Sequence, residues 1–465
     1  MGFVLSIIYF VTYYLTPTTI FGPLAVFRIE LILAVLAFLV SLPVLGKSFV
    51  LRSPQSLALI GLGLATILSV VIGMGWVGGG MPAFLMFIPN AFAFFLVCIH
   101  FDSMKKLKAL ILMMLFVCLF VIAQGAMELQ RGIPANAAFM TGDTDEFQSG
   151  DIDTAPYLLG MKSDSNEWFY RLRGLGEIND PNDFAQVIVC VIPLVFIFWT
   201  PKKIIRNSLF VLLPISILLY GAFLTHSRSS MLALLVMAIV AARRRIGLVP
   251  SLVVAAGLFV AASALNFTGG RQISADAGED RTALWGEGLE LLKSHPIFGV
   301  GFGRMADFAG QTAHNTLVVC AAELGMFGLY FWSLFLFPTM RNVLVIASPE
   351  KVGEAKPIVA KEKAAFQFGT KKMEGIDRLE ICRIGRLVLI SLTGFLVSAW
   401  FLSRAFVMTF FLLGGIAEVI FEMALERGMI AERMPGPRVF LYSGVMAISL
   451  ILVMYLMLRV VNLMH

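Results

Sequence analysis

Charge is what this chain has least of. Only 14% of its 465 residues are Asp, Glu, Lys or Arg, against roughly 25% in a water-soluble domain. A soluble globular enzyme is excluded, because hydrophobic residues make up 58% of the chain and too little polar surface remains to cover such a core. Cysteine is scarce and scattered. The five (Cys98, Cys118, Cys190, Cys320, Cys382) form no CxxC, and none lies in the two large outer loops. That argues against a disulfide framework or a zinc cluster, so they read as small, polarisable core residues. The N-terminus lacks a basic n-region and a following small-residue cleavage site, and it reads as a retained span rather than a removed signal peptide. No internal repeat is visible, which disfavours an inverted-repeat transporter. Gly299-Val-Gly301-Phe-Gly303 lacks the preceding strand of a dinucleotide fingerprint, so it reads as a flexible turn. No cofactor, no metal and no nucleic-acid partner is implied.

What the chain has in abundance is apolar runs of spanning length, about 20 residues each. About thirteen are visible, near 3–20, 24–45, 56–74, 82–100, 107–128, 183–200, 208–224, 227–242, 246–267, 314–337, 387–402, 405–424 and 439–458. A β-barrel would show alternating runs of about 10 residues instead. The expected fold is an all-α integral membrane protein, a polytopic bundle of about 12–13 transmembrane helices. The charges that exist are sorted by gap. Lys47 and Arg52, then Lys105, Lys106 and Lys108, then Lys202, Lys203 and Arg206, then Arg243-Arg244-Arg245 are basic clusters, and residues 341–386 hold ten Lys or Arg against six acids. Intervening gaps are neutral or acidic; 130–182 carries nine acids against four bases. The positive-inside rule makes the basic gaps cytoplasmic and puts 130–182 and 268–313 outside. The N-terminus is then cytoplasmic and, with thirteen spans, the C-terminus external. The chain divides into N-terminal spans 1–129, an outer loop 130–182, a region 183–338 that includes outer loop 268–313, a basic cytoplasmic loop 339–386 that touches anionic headgroups, and C-terminal spans 387–465.

The polar residues that could carry chemistry sit in the outer gaps. Arg171 and Arg173 precede Asp180-Pro181-Asn182, where a span begins; Arg228 follows Ser227; Arg281 opens a segment 280–294; His314 and Asn315 open the span 314–337. Segment 280–294 reads as a short amphipathic helix capped by Asp280 and ended by Pro296. Its face of Trp285, Leu289 and Leu292 would lie in the lipid interface. Guanidinium groups grip phosphate in a rigid bidentate fork, and several near a helix N-terminus would bind pyrophosphate. A histidine at a helix start has its imidazolium disfavoured by the dipole, and a neutral imidazole is what a general base requires. Blander roles stand beside these: an interfacial arginine snorkels to headgroups, a histidine caps a helix, and Trp168 or Trp285 either stacks on a sugar or anchors at the interface. Within the spans, Glu30, Glu323 and Glu418 are isolated and read as buried against helix neighbours rather than as a proton relay.

In this set the chain resembles the bacterial O-antigen ligase and polymerase superfamily, whose shared region is called Wzy-C. The matching stretches are Arg171-Leu-Arg173-Gly174 running to Asp180-Pro181-Asn182; Thr225-His-Ser227-Arg228; Arg281-Thr-Ala-Leu-Trp285; His295-Pro296-Ile-Phe-Gly299-Val-Gly301-Phe-Gly303; and His314-Asn315 followed by Glu323-Leu-Gly325-Met-Phe-Gly328. They appear in the family's order over roughly 170–335. One departure is the run Leu175–Asp180 between Gly174 and Pro181, longer than the family's usual spacing; it leaves open which of Arg171 and Arg173 is the functional arginine.

The resemblance implies a GT-C-like integral-membrane glycosyltransferase, with 183–338 as its catalytic region. Such an enzyme takes a glycan from an undecaprenyl-pyrophosphate carrier on the outer, periplasmic face of the bacterial inner membrane. The acceptor is a glycolipid, another glycan or a protein hydroxyl, and membrane lipid surrounds the site. By the same resemblance His314 is the base that deprotonates the acceptor. Arg281 holds the donor pyrophosphate with Arg171 or Arg173, and Arg228 matches a family Ser-Arg pair. O-antigen ligase, polysaccharide polymerase and protein O-oligosaccharyltransferase share these motifs. A flippase of lipid-linked glycan, or a structural subunit, would use the same residues without catalysis.

Overall fold

The computed structural model describes residues 1–46, 48–131, 151–162, 168–269, 276–354 and 378–464. In chain order its main elements are α1 (Gly2–Leu15), α2 (Ile29–Leu45), α3 (Pro54–Leu68), α4 (Gly80–His100), α5 (Met104–Arg131), three strands β1 (Asp151–Ala155), β2 (Leu158–Lys162) and β3 (Trp168–Leu172), α6 (Pro181–Val195), α7 (Leu213–Leu224), α8 (Arg228–Ile246), α9 (Leu248–Ala264), α10 (Asp276–Ser294), α11 (Met305–Ala309), α12 (Thr316–Ile346), α13 (Arg378–Ala399), α14 (Met408–Glu426) and α15 (Gly436–Met464). Every apolar run named above falls on a helix. Among the described residues nine helices are long and apolar enough to cross a membrane, and α1, α2 and α9 are shorter apolar helices. The remaining run is α8, 19 residues with Arg228 at one end and Arg243, Arg244 and Arg245 in its last turn. The chain is an all-α, multi-pass membrane protein. Its contacts group into two compact units, each discontinuous in sequence.

The first unit comprises residues 1–37, 105–273 and 390–398. At its centre lies α6, which Asp180 caps and Pro181 starts, and which is buried almost along its whole length. Val189 of α6 packs with Ala233 and Met237 of α8 and with Ile390 and Val397. Ser391 Oγ donates to the Cys190 carbonyl at 2.6 Å, and Gly394 brings its helix against Met237 and Val189. Small residues at such contacts are the usual device where lipid supplies no hydrophobic drive between helices.

The strands form a small antiparallel sheet, order β1-β2-β3, where the sequence reading had an outer loop. It rests on the end of α5: the Tyr157 N–H donates to Glu128 Oε2 at 3.0 Å, and Leu172 covers Gly125. At five residues each, DIDTA, LLGMK and WFYRL are too short and too mixed to give one shared period-two pattern, which is why they do not announce themselves. Residues 132–150, including the acids Asp143, Asp145 and Glu146, lie outside the described residues.

The second unit comprises residues 38–104, 274–389 and 399–465. Its axis is α12, which packs on α3, α10, α14 and α15. Gly61 admits the Phe331 ring against α3. Phe335 meets Phe410 at 4.9 Å, Phe411 at 5.2 Å and Phe94 at 5.5 Å, in edge-to-face arrangements that favour aromatic pairs. Glu418 is fully buried, as expected, and is paired. Arg433 Nη1 lies 2.5 Å from its Oε1, and Gln55 Nε2 and Asn342 Nδ2 donate to its Oε2 at 2.8 and 2.9 Å. Arg433 also bonds Glu422 at 2.6 Å. Glu30 accepts from Thr18 Oγ1 at 2.9 Å. All five cysteines are buried free thiols.

Removing one partner of a buried ion pair strands the other. Arg433→Ala is therefore expected to destabilise the protein by about 3–5 kcal/mol, read as a lower thermal midpoint in detergent. Arg433→Ala combined with Glu418→Gln should recover part of that loss.

Candidate functional site

The sequence-predicted residues fall in both units: Arg171, Arg173 and Arg228 in the first, Arg281 and His314 in the second.

In the first unit Arg171 closes β3 onto two helix ends. Its Nε donates to the Thr225 carbonyl after α7 at 2.8 Å, and its Nη2 to Asn182 Oδ1 at the start of α6 at 2.9 Å. The side chain is 3% exposed, and Arg173 is 8% exposed. Arg173 anchors by its backbone N–H to the Tyr157 carbonyl at 3.0 Å. The long run between Gly174 and Pro181 folds back on itself. The Gly174 N–H donates to the Ile178 carbonyl at 2.8 Å around a short 3-10 turn, Gly176–Ile178. Gly176 has φ of 54° and sits against Thr16, the residue after α1, where a Cβ would be 2.1 Å from the threonine Oγ1. The extra residues are thus looped out, and Arg171 still reaches Asn182.

Arg228 is the first residue of α8, with Ser227 as its N-cap. A cation there adds to the positive end of the helix dipole instead of opposing it, which makes the turn an electropositive one. The preceding His226 is left-handed, φ 48°. Its ring lies edge-on to Phe169 and Phe223, with Nδ1 3.1 Å from the Phe267 carbonyl.

In the second unit α10 begins at Asp276, not at Asp280, so Asp280 is inside the helix and not its cap. The expected lipid-facing stripe is a protein-facing one. Trp285, Leu289 and Leu292 are 4%, 7% and 7% exposed, because α10 packs on α12, with Gly288 beside Val318. A buried Trp285 cannot stack on a sugar. Its indole N–H donates to the Ala313 carbonyl at 2.9 Å, and its ring stands at 82° to Trp400, 6.0 Å between centroids. One turn earlier, Arg281 is half-buried with its guanidinium carbon 6.0 Å from the Phe401 ring centre.

Helix α12 is capped by Asn315, whose Oδ1 accepts the N–H groups of Leu317 and Val318 at 2.9 and 3.2 Å. His314 is therefore not the cap. It lies one residue outside the helix, exposed, with φ of 48°. A non-glycine residue in that region costs about 1–3 kcal/mol and persists only where its surroundings impose it.

The two remaining motif stretches turn out to be partners. Gly325 interrupts α12 with φ 65° and ψ −167°, which leaves carbonyls before the break and N–H groups after it without helical partners. Segment 296–303 supplies both. The carbonyls of Pro296 and Ile297 accept from Met326 and Phe327 at 2.9 and 3.1 Å, and the N–H groups of Val300 and Gly301 donate to Ala322 and Glu323 carbonyls at 2.9 and 3.1 Å. The Glu323 carboxylate accepts the Gly303 and Met305 N–H groups at 2.9 and 3.3 Å, so this glutamate is a backbone clamp. The glycine-rich run is a docked strut, not a flexible turn.

Sequence reasoning missed the loop from Trp400 to Arg404 between α13 and α14. It contacts the His314 turn through Trp400, Leu402, Ser403 and Arg404. The only trace in the sequence is a polar Ser403-Arg404 step between two apolar runs, and roughly 85 residues separate it from its partners.

Close approach at the α12 break gives a direct test. A Cβ on Gly325 would lie 2.3 Å from the Ile297 carbonyl oxygen, and the φ is positive. Gly325→Ala is expected to abolish the monodisperse peak in fluorescence-detected size exclusion, while Gly286→Ala, in open space on α10, leaves it intact.

Residues 213–333 match the family model Wzy_C, described as O-antigen ligase. The match takes in Arg228, Arg281, His314 and the strut with its α12 break; Arg171, Arg173 and Asp180-Pro181-Asn182 precede it. No curated protein matches the chain.

Proposed function

We propose that this chain, a multi-pass membrane protein with a Wzy_C region of the O-antigen ligase kind, is a transferase of lipid-linked glycan. It acts at the outer face of a bacterial inner membrane and moves a glycan from undecaprenyl pyrophosphate to an acceptor hydroxyl. The observation that carries this reading is the His314 turn. An exposed histidine is held left-handed at the head of α12, and Trp285 ties that turn to the helix bearing Arg281. Strained backbone clusters at active sites, and this strained residue carries an exposed, titratable side chain.

In the proposed reaction the acceptor oxygen attacks the anomeric carbon as His314 takes its proton. The bond from that carbon to the phosphate oxygen breaks on the opposite face, and undecaprenyl pyrophosphate departs with the electron pair. Configuration inverts. Arginines meet the leaving charge, which is where electrostatic stabilisation is worth most. Arg281 is the phosphate-binding group of the second unit; Arg173, Arg171 and Arg228 are the first unit's candidate phosphate-binding cations. Arg171 also holds structure, through Thr225 and Asn182.

The test is the lipid-linked glycan pool after deletion of the gene, with wild type, His314→Ala and Arg281→Ala as rescue constructs. His314→Ala is expected to lower transfer by about 10²–10⁴-fold, the range for loss of a general base, at normal expression. Long polymer stranded on the carrier means a ligase; stranded single repeats mean a polymerase. Full transfer by both variants sinks the mechanism, and transbilayer movement without released undecaprenyl pyrophosphate would make the chain a flippase.

A further inference from the structure

We infer that Trp285 and Ser403 are positioning residues for His314, acting on its backbone and not on the substrate. The inference rests on the reading of His314 as the base. A left-handed histidine must be imposed from both sides, and the structure shows each point of attachment. Upstream, Ala313 is fully buried and its carbonyl accepts the Trp285 indole N–H at 2.9 Å. At His314 itself, the backbone N–H donates to Ser403 Oγ at 3.0 Å. Downstream, Asn315 is fully buried and its Nδ2 donates to the Trp400 carbonyl at 3.0 Å, while Thr316 Oγ1 donates to the Leu402 carbonyl at 2.7 Å and accepts the Arg404 N–H at 3.2 Å.

The downstream contacts would serve any helix start. The two upstream contacts have no such use. Neither involves a group of α12, whose Leu317 and Val318 N–H groups go to Asn315. Trp285 and Ser403 fix the residues at and just before the left-handed position. Trp285 also stands edge-on to Trp400, in the loop that bears Ser403. The indole therefore locks α10, the 400–404 loop and the histidine turn together, and Arg281 rides on the same helix one turn away. A glycine or asparagine would take the left-handed conformation at little cost. The chain has a histidine there and builds two side-chain props beneath its backbone.

The expected signature is a loss in turnover with little loss in substrate binding. Misplacement of a catalytic group by about 1 Å is worth up to about 100-fold in rate. The assay is turnover in proteoliposomes, with lipid-linked glycan that accumulates in the gene-deleted strain as donor. Trp285→Phe keeps the ring and removes the N–H; Ser403→Ala removes the acceptor; Ser403→Thr restores it. Trp285→Phe and Ser403→Ala should each lower kcat roughly 10- to 100-fold with donor KM within about twofold, and Ser403→Thr should return most of it. On a His314→Ala background both should have no further effect, because residues acting through one group are non-additive. Additive losses on that background, or wild-type kcat in both variants beside an inactive His314→Ala, would overturn the positioning role and leave the base reading standing. A fully active His314→Ala would overturn both.

Discussion

No backbone N–H or carbonyl inside a bilayer can be left without a partner, and in the second unit that constraint falls hardest on one residue. Gly325 breaks α12 within an apolar helix of 31 residues. The break is tenable because segment 296–303 lays its own backbone across it, bond for bond, and because the Glu323 carboxylate holds the end of that segment. The same docking decides where the chain before it must lie. Helix α10 ends at Ser294, immediately ahead of the strut. Residues 304–313 then return the chain to the head of α12. The arginine helix and the histidine turn are thus two ends of one closed circuit, fastened at the break.

This circuit joins stretches that lie apart in the matched segment 213–333. Gly299, Gly301, Gly303, Glu323 and Gly325 make the fastening. Trp285 and the 400–404 loop turn it into a fixed geometry at His314. In the first unit a similar economy operates around Arg171, whose guanidinium joins β3 to the start of α6 and the end of α7. In both units a functional-looking residue is surrounded by groups that act on backbone: carbonyls, caps and N–H donors. Membrane proteins favour this arrangement, since an imperfectly paired polar group is costly in low dielectric.

The polar interior is also segregated along the helices. In the second unit the buried network of Glu418, Arg433, Gln55, Asn342 and Glu422 lies well along α14 from the 400–404 loop that precedes it. Arg341 and Arg433 both approach the Phe421 ring. That network joins α3, α12 and α14 through side chains, whereas at the histidine end the 400–404 loop holds the head of α12 through side-chain-to-backbone bonds. Neither end depends on cysteine, and all five thiols serve as apolar filling.

Apolar length along the chain was enough to give the fold class and the positions of the apolar helices, because burial in lipid acts on each segment locally. The boundaries that failed did so for tertiary reasons. Trp285, Leu289 and Leu292 form an amphipathic stripe whether they face lipid or another helix, and only the packing of α10 on α12 decides between them. Asp280 is a capping type in a position that the helix passes through. The strands of residues 151–155, 158–162 and 168–172 are too short to give one sustained pattern. Glycines 299–303 look like a flexible turn until Gly325, some two dozen residues later, leaves orphan backbone groups for them to satisfy. The left-handed state of His314, and the loop at Trp400–Arg404 that helps to hold it, exist only in three dimensions, where bonds between residues far apart in sequence select one backbone conformation over its cheaper neighbours.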